Sequence, residues 1–287
     1  MSLRQKIPWQ LRIAAKLILS KLPFSYAQWS KIGLFRHGQM DSYNYAWSVL
    51  SRHRKQLSSE RDNWHGLELG PGDGILSALL APALGAAGLT LLDSGDYADK
   101  DICKYKQQIN DFLAKHNNYI LPDYSNCTSI NEILKFSGGA YHFNGLSSLK
   151  ALADDSFDII YSQAVLEHVR RDEFSETLLQ CRRLLKPNGV MSHVVDFKDH
   201  LGGGLSNLKI SSVLWEQNWF ALKSNFYTNR LRFSEVIKIC EDSGFTLKMA
   251  EVSRYEVTPI RRKQLATEFS RLSDDDLSVS EVHLVMY

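Results

Sequence analysis

Cysteine is scarce and scattered in this chain. Cys103, Cys127, Cys181 and Cys240 form no Cys-x-x-Cys pair, so neither a zinc site nor a disulfide framework is suggested, and a reducing cytoplasm fits. Internal repeats and low-complexity tracts are missing, which argues against solenoids and linker-dominated chains. The first forty residues contain no acid at all, against seven Lys/Arg. Nucleic-acid-binding motifs of the named classes are absent as well. An uncharged run from Gly74 to Leu92 is long enough for a membrane span. Pro82, Gly85 and Gly88 interrupt it, and a strand–loop–helix frame explains it better.

What is present suffices for one sizeable core, with 287 residues of which 44% are apolar. The net charge of +2 hides an uneven distribution. Residues 1–65 hold eleven Lys/Arg and three Asp/Glu, a net of +8, leaving −6 for the remainder. Pro8 is placed to start a helix with Leu11, Ala14, Ala15, Ile18 and Leu22 on one face and Arg12 and Lys16 off it, until Pro23 stops it. No small-residue cleavage site follows, so this is not a signal peptide. The helix either packs on the domain as a cap or lies on an anionic membrane surface as a basic amphipathic element. It is too short and too charged to span a membrane. Trp29, Phe35-Arg36-His37-Gly38, Tyr43-Asn44-Tyr45 and Trp47 then precede Ser51-Arg52-His53-Arg54-Lys55. These suit a lid, and equally a helical hairpin with an aromatic core and a solvated basic end.

Gly66 to Asp93 organises the rest. Leu67 and Leu69 suit a buried strand, Gly70, Gly72 and Gly74 a tight turn, Ile75 to Leu84 a helix, and Leu89 to Leu92 a second strand ending on Asp93. In a parallel α/β sheet, ligands bind where such strands end. Glycines let the backbone take positive φ and let a ligand approach its N–H groups closely. The dinucleotide fingerprint Gly-x-Gly-x-x-Gly fails here, because Ile75 stands at its last glycine. The pattern is instead Glu68-x-Gly70-x-Gly72-x-Gly74, with an acid inside the strand. Two acids and no lysine suit a cationic ligand better than a phosphate. Alone, such a loop is also simply a tight turn of an α/β protein.

Two further stretches agree with it in order and spacing. Ser156-Phe157-Asp158-Ile159-Ile160-Tyr161-Ser162-Gln163-Ala164-Val165-Leu166-Glu167-His168-Val169 is an apolar strand ending in small polar residues, with Glu-His on a short helix. Arg183-Leu184-Leu185-Lys186-Pro187-Asn188-Gly189-Val190 is a helix-to-strand turn. Together, over residues 60 to 200, the three resemble the motifs of class I S-adenosylmethionine (SAM) dependent methyltransferases. That resemblance implies an α/β fold: a doubly wound, seven-stranded, mostly parallel Rossmann-like sheet whose last two strands form an antiparallel edge hairpin. It implies a helical cap over residues 1–60 and a SAM-binding domain over 61–287. Residues 101–139 would hold an inserted element, with helices near Ile102–Lys115 and Ile130–Phe136, and 199–240 an acceptor-side segment. It also implies that Glu68, Leu69, Gly70 and Gly72 hold the amino-acid end of SAM and that Asp93 takes the ribose hydroxyls. Asn144 and Gly145 would lie by the adenine, and Ser162 and Gln163 would face the cofactor.

The chemistry follows from the cofactor. The methyl of SAM is already activated, so transfer needs mainly alignment, leaving S-adenosylhomocysteine. A hydroxyl acceptor also needs a base within hydrogen-bond reach. His168, His200 and Asp196 are the candidates, with His193 a fourth, although a lone histidine is more often structural. No metal site is evident, while Asp196, Asp199 and His200 offer oxygen and nitrogen ligands. Asp199-His200 and Asn229-Arg230-Leu231-Arg232 resemble, more loosely, methyltransferases of polysaccharide and lipid-linked glycan pathways. This implies O-methylation of a sugar hydroxyl or related polar small molecule, with a small-molecule, glycan or glycolipid acceptor and no nucleic acid. Two alternatives stay open: a lipophilic quinone- or polyketide-like acceptor, and a SAM-binding protein used for assembly without turnover.

Overall fold

In the computed structural model, residues 39–58, 62–223 and 226–287 are described. The expected helix after Pro8, and the aromatic residues up to Gly38, lie outside them. A first helix, α1 (Tyr43–Arg54), leads into β1 (Trp64–Leu69). The glycine turn then feeds α2 (Leu76–Leu80), which continues as a 3₁₀ turn, Ala81–Leu84, into β2 (Ala86–Leu92). The uncharged stretch is therefore buried helix and strand, and no described helix is long and apolar enough to cross a membrane.

Between β2 and β3 (Ala140–His142) run α3 (Ile102–Lys115) and α4 (Ile130–Phe136), two helices where one crossover would serve. Their starts are locally encoded. The Asp101 carboxylate accepts from the Cys103 and Lys104 amides, and Ser129 accepts from the Glu132 amide. Next come α5 (Gly145–Ala151), β4 (Phe157–Gln163), α6 (Phe174–Leu184) and β5 (Leu185–Asp196). The helix stops at Leu184, so Lys186-Pro187-Asn188-Gly189 belongs to the strand rather than to a turn before it. Short helices α7 (Ser212–Trp215) and α8 (Asn218–Lys223) precede α9 (Phe233–Asp242). Strand β6 (Leu247–Arg254), α10 (Asp274–Ser278) and β7 (Val279–Met286) complete the chain.

The seven strands are ordered β3-β2-β1-β4-β5-β7-β6. Strands one to five are parallel, and β7 runs antiparallel between β5 and β6. This is the expected Rossmann-like methyltransferase sheet. One detail differs: β6 and β7 pair antiparallel, but residues 255–278 separate them, so no tight hairpin joins them. The helices cover both faces, as a parallel sheet requires. On one face α1, α2, α3 and α4 pack over Leu89, Leu91, Ile159 and Val285. On the other, α6 and α9 pack over Leu67, Ile160, Met191 and Leu284. The described part of the expected cap is thus built into the main core, with Ala46, Val49, Leu50 and His53 of α1 buried.

Candidate active site at the strand ends

Register puts the ends of the central strands level. Leu69 pairs with Leu92 on one side and Ser162 on the other, and Leu92 pairs with His142. The order reverses between β1 and β4, because the chain winds outward through β2 and β3 and then back through β4 and β5. Such a switch opens a crevice at the carboxyl ends of the strands. Gly70, Asp93, Asn144 and the β4 turn all meet at this rim.

The glycine loop is held from below and from the side. Gly70 and Gly72 have φ of +66° and +64°, conformations that side chains disfavour. The Gly70 amide donates to the Leu92 carbonyl at 2.8 Å. The Gly72 amide donates to Asp93 Oδ2 at 3.0 Å, and the Ser94 amide to Asp93 Oδ1 at 2.7 Å. Asp93 therefore ties the loop of the first strand to the end of the second. Gly74 lies against residues 40–41: a Cβ there would sit 2.4 Å from the Met40 carbonyl oxygen.

Glu68 is only 2% exposed, and its carboxylate accepts from the Ser77 hydroxyl of α2. Burial raises its pKa to about 7, and the hydrogen bond from Ser77, the neighbouring Tyr161 and the charge of Asp93 modify the value less. Its observed contact fixes β1 to α2. Leu69 is a core residue, so only its backbone faces the rim. Asn144 is exposed, its amide accepted by Ser148 Oγ at 3.1 Å, and Gly145 opens α5 with φ +51°. Phe143 beside it stays 43% exposed, an aromatic surface at the expected adenine position that sequence reading passed over.

Ser162 does not face the crevice. Side chains alternate along a strand, and Ser162 shares the inward face of Ile160. Its hydroxyl is hydrogen-bonded to His193 Nδ1 at 2.7 Å, and both residues are fully buried. Burial pushes His193 down to about 3, so it is a neutral core histidine and not an acceptor base. Gln163 points to the opposite face, where its Oε1 is buried without a hydrogen-bond partner. Near it runs a buried polar row unforeseen in sequence: His53 Nδ1 is hydrogen-bonded to Ser192 Oγ at 2.7 Å, and Ser192 to His283 Nε2 at 2.9 Å. Desolvation depresses both histidines.

After β4 the chain bends sharply through Ala164, a non-glycine residue with φ +55°. Strain of this kind gathers at functional turns. The bend presents a 3₁₀ turn, Leu166–His168. Here the rival candidates meet: the rings of His168 and His200 lie 4.8 Å apart, and both are exposed. His168 Nδ1 donates to the Tyr227 carbonyl at 3.0 Å, since that oxygen can only accept. Glu167, which sequence reading named only as part of the motif, completes the group. It is 3% exposed, neither carboxylate oxygen has a hydrogen-bond partner, and burial raises its pKa well above the usual range. Asp196 raises it further, while the nearby Glu167 and Asp196 amides and the Lys198 charge offset part of this.

Asp196 and Asp199 are otherwise engaged. Asp196 Oδ1 accepts from the Lys198 amide at 2.8 Å and pairs with Lys198 Nζ at 3.1 Å. Asp199 caps its own loop, accepting from the Leu201, Gly204 and Ser206 amides. Asn229-Arg230-Leu231-Arg232 is a strut rather than a contact surface. The Asn229 amide donates to the Glu167 carbonyl, and its side chain donates to the Leu166 and Val169 carbonyls at 2.8 and 3.0 Å. Arg230 donates to the Asn207 and Ile210 carbonyls, and Arg232 to those of Phe197, Asp276 and Val279. Two clefts lie elsewhere: one of about 250 Å³ beside Arg171 and Lys238, another of about 560 Å³ between α1 and the β6–β7 edge. Neither is lined by the glycine loop.

Comparison with known proteins gives three results. A family model described as a methyltransferase domain matches residues 131–192, from α4 through β5. No curated protein matches the chain. Among solved structures, it is similar to a complex of the Haloferax volcanii Trm112 methyltransferase activator with a methyltransferase, at 15% identity and TM-score 0.46, covering 85% of this chain and 90% of that one. A SAM-dependent methyltransferase from Mesorhizobium loti is 16% identical, TM-score 0.43, over 84% and 96% of the two chains. Phosphoethanolamine N-methyltransferase 2 of Haemonchus contortus, solved with SAM, is 14% identical, TM-score 0.45, over 88% of this chain and 53% of that longer one.

Proposed function

We propose that this chain, whose sheet and domain match are those of class I SAM-dependent methyltransferases, moves a methyl group from SAM to a hydroxyl of a sugar or related polar small molecule. The observation that carries the reading is the rim itself: a positive-φ glycine loop tied to Asp93, facing a turn that carries Glu167 and His168. The loop amides and Glu68 would receive the amino-acid end of SAM, Asp93 the ribose hydroxyls, and Asn144 with Phe143 the adenine, through the amide edge and the ring face. Each Asp93 oxygen can accept more than one hydrogen bond, so ribose hydroxyls could donate to it while the Gly72 and Ser94 amides stay in place.

An in-line transfer then needs the acceptor oxygen held against the methyl group. The hydroxyl loses its proton as the methyl arrives, and the paired histidines at the rim serve that step. The polar, exposed character of His168 and His200 favours a polar acceptor over a quinone-like one. Calorimetry with SAM and S-adenosylhomocysteine, followed by label transfer from methyl-labelled SAM to a panel of free and lipid-linked sugars, tests the reading. Binding of SAM with no S-adenosylhomocysteine formed on any acceptor would favour an assembly role. No SAM binding at all would end the proposal.

A further inference from the structure

We propose that Glu167, His168 and His200 form a binding site for one divalent transition-metal ion, beside the place where the acceptor is methylated. Their ligand atoms, one per residue, all lie within 4.8 Å of one another, and no other such group of His, Cys, Asp or Glu occurs among the described residues. Two imidazoles and one carboxylate are a donor set for zinc, iron, cobalt or manganese rather than for magnesium, which prefers oxygen and water. Ligands at about 2.0–2.2 Å from an ion stand about 3–3.5 Å apart. The two histidine rings are exposed, so they are the ligands with room to adjust to that spacing.

Three independent features point to a ligand at this place. The Glu167 carboxylate is buried with neither oxygen hydrogen-bonded, an arrangement that costs stability unless something compensates it. His168 donates its Nδ1 proton to the Tyr227 carbonyl, so the lone pair is on Nε2. An outer hydrogen bond of this kind fixes a metal-binding histidine in the ligating tautomer. Asn229 clamps the turn from both sides through the Leu166 and Val169 carbonyls, which holds the Glu-His pair in place before any ion arrives. Lys198, whose charge reaches Glu167, is already paired with Asp196.

On the methyltransferase reading above, such an ion gives the histidine pair its role. A hydroxyl drawn to the ion loses its proton to water more readily. Its oxygen then forms the O–CH₃ bond as the S–CH₃ bond of SAM breaks, leaving S-adenosylhomocysteine. The metal site itself rests on the three side chains alone.

Cobalt(II) titration of the chelator-stripped, tag-free protein tests it, with visible absorption as the readout and metal analysis for stoichiometry. One equivalent is expected to bind, with bands typical of nitrogen and oxygen ligation. Glu167→Gln and His200→Ala are each expected to weaken binding by about a hundredfold or more, since even outer partners of metal ligands matter tenfold to a hundredfold. His65→Ala, an exposed histidine at the start of β1, should leave it unchanged. Thermal melting separates loss of the site from loss of the fold, and His200→Ala, on the surface, guards against a misfolded Glu167 variant. Unchanged cobalt affinity in both folded variants, or less than half an equivalent bound, overturns the site. SAM calorimetry on the same samples keeps the two proposals apart: SAM binding without cobalt sinks only the metal, and cobalt without SAM sinks only the cofactor.

Discussion

Gly70 lies directly against Val165. A Cβ built on Gly70 would come within 2.5 Å of Val165 Cγ2 and 2.8 Å of Cγ1. The cofactor loop and the turn that carries Glu167 and His168 are therefore in van der Waals contact through the missing side chain. Gly70→Ala should lose about 2–4 kcal/mol of stability, combining positive-φ strain with overpacking. SAM affinity in the native protein should be roughly micromolar, about −8 kcal/mol. Gly72→Val should abolish binding while the protein stays folded, because it blocks close approach to the loop amides. Tight SAM binding by folded Gly72→Val in a calorimeter would contradict the loop's assignment.

Glu68 should make stability fall as pH rises. Its folded pKa of about 7 stands above the ordinary carboxyl value of 4.5, so the native protein holds a proton that the unfolded chain has released. The contribution is complete below 4.5 and is lost as pH climbs to 7, amounting to roughly 3 kcal/mol. Denaturant melts of Glu68→Gln across that window should be flatter than those of the native protein. Identical slopes would mean that Glu68 is already ionised.

His193 acts in the opposite sense. Held neutral with a pKa near 3, it contributes fully above the ordinary histidine value of 6.5 and loses that contribution as pH falls toward 3. His193→Gln keeps a side-chain partner for Ser162 and should blunt acid unfolding between pH 6 and 4, with His53 still responsible for part of the loss. An acid limb as steep as the native one would exclude His193 as a cause.

At the rim, His168→Ala should lower kcat by about two to four orders of magnitude with SAM affinity almost unchanged. His200→Ala should cost turnover too, and should raise the acceptor KM because its exposed ring approaches from the acceptor segment. Near-normal turnover in both single variants would remove the pair from the chemistry and point to an amine or thiol acceptor.

The basic first forty residues give a separate expectation. If they meet a membrane or an anionic lipid-linked acceptor, flotation with anionic liposomes should weaken with salt. Equal recovery with neutral liposomes would leave them a cap.

Much of this fold is legible in the sequence. The glycine loop, Asp93, the strand before Glu-His and the two helices after β2 follow from turn chemistry and periodicity, and α3 and α4 fall on the expected residues. Burial of polar groups is not. Arg52-His53-Arg54-Lys55 reads as a solvated basic end, yet Ala46, Val49, Leu50 and His53 recur at helical spacing and all four are buried. Ser162 follows the period of two inward, which its small polar side chain concealed. Arg230 and Arg232 belong, in sequence, to the segment expected on the acceptor side, whereas in the fold they saturate backbone carbonyls that come from far along the chain. Only tertiary structure supplies those acceptors.

The position of β7 bears on how the chain is assembled in time. Strand β6 is synthesised before β7 but lies outside it, paired with nothing else in the sheet. Until residues 279–286 leave the ribosome, β6 has no edge to join, and β5 has an open one. Strand β7 carries Val279, Val282, Leu284, Val285 and Met286, all fully buried, and serves both hydrophobic layers. A nascent chain stalled a few residues short should therefore expose both layers at once and remain a substrate for chaperones and proteases, whatever the state of the glycine loop made long before.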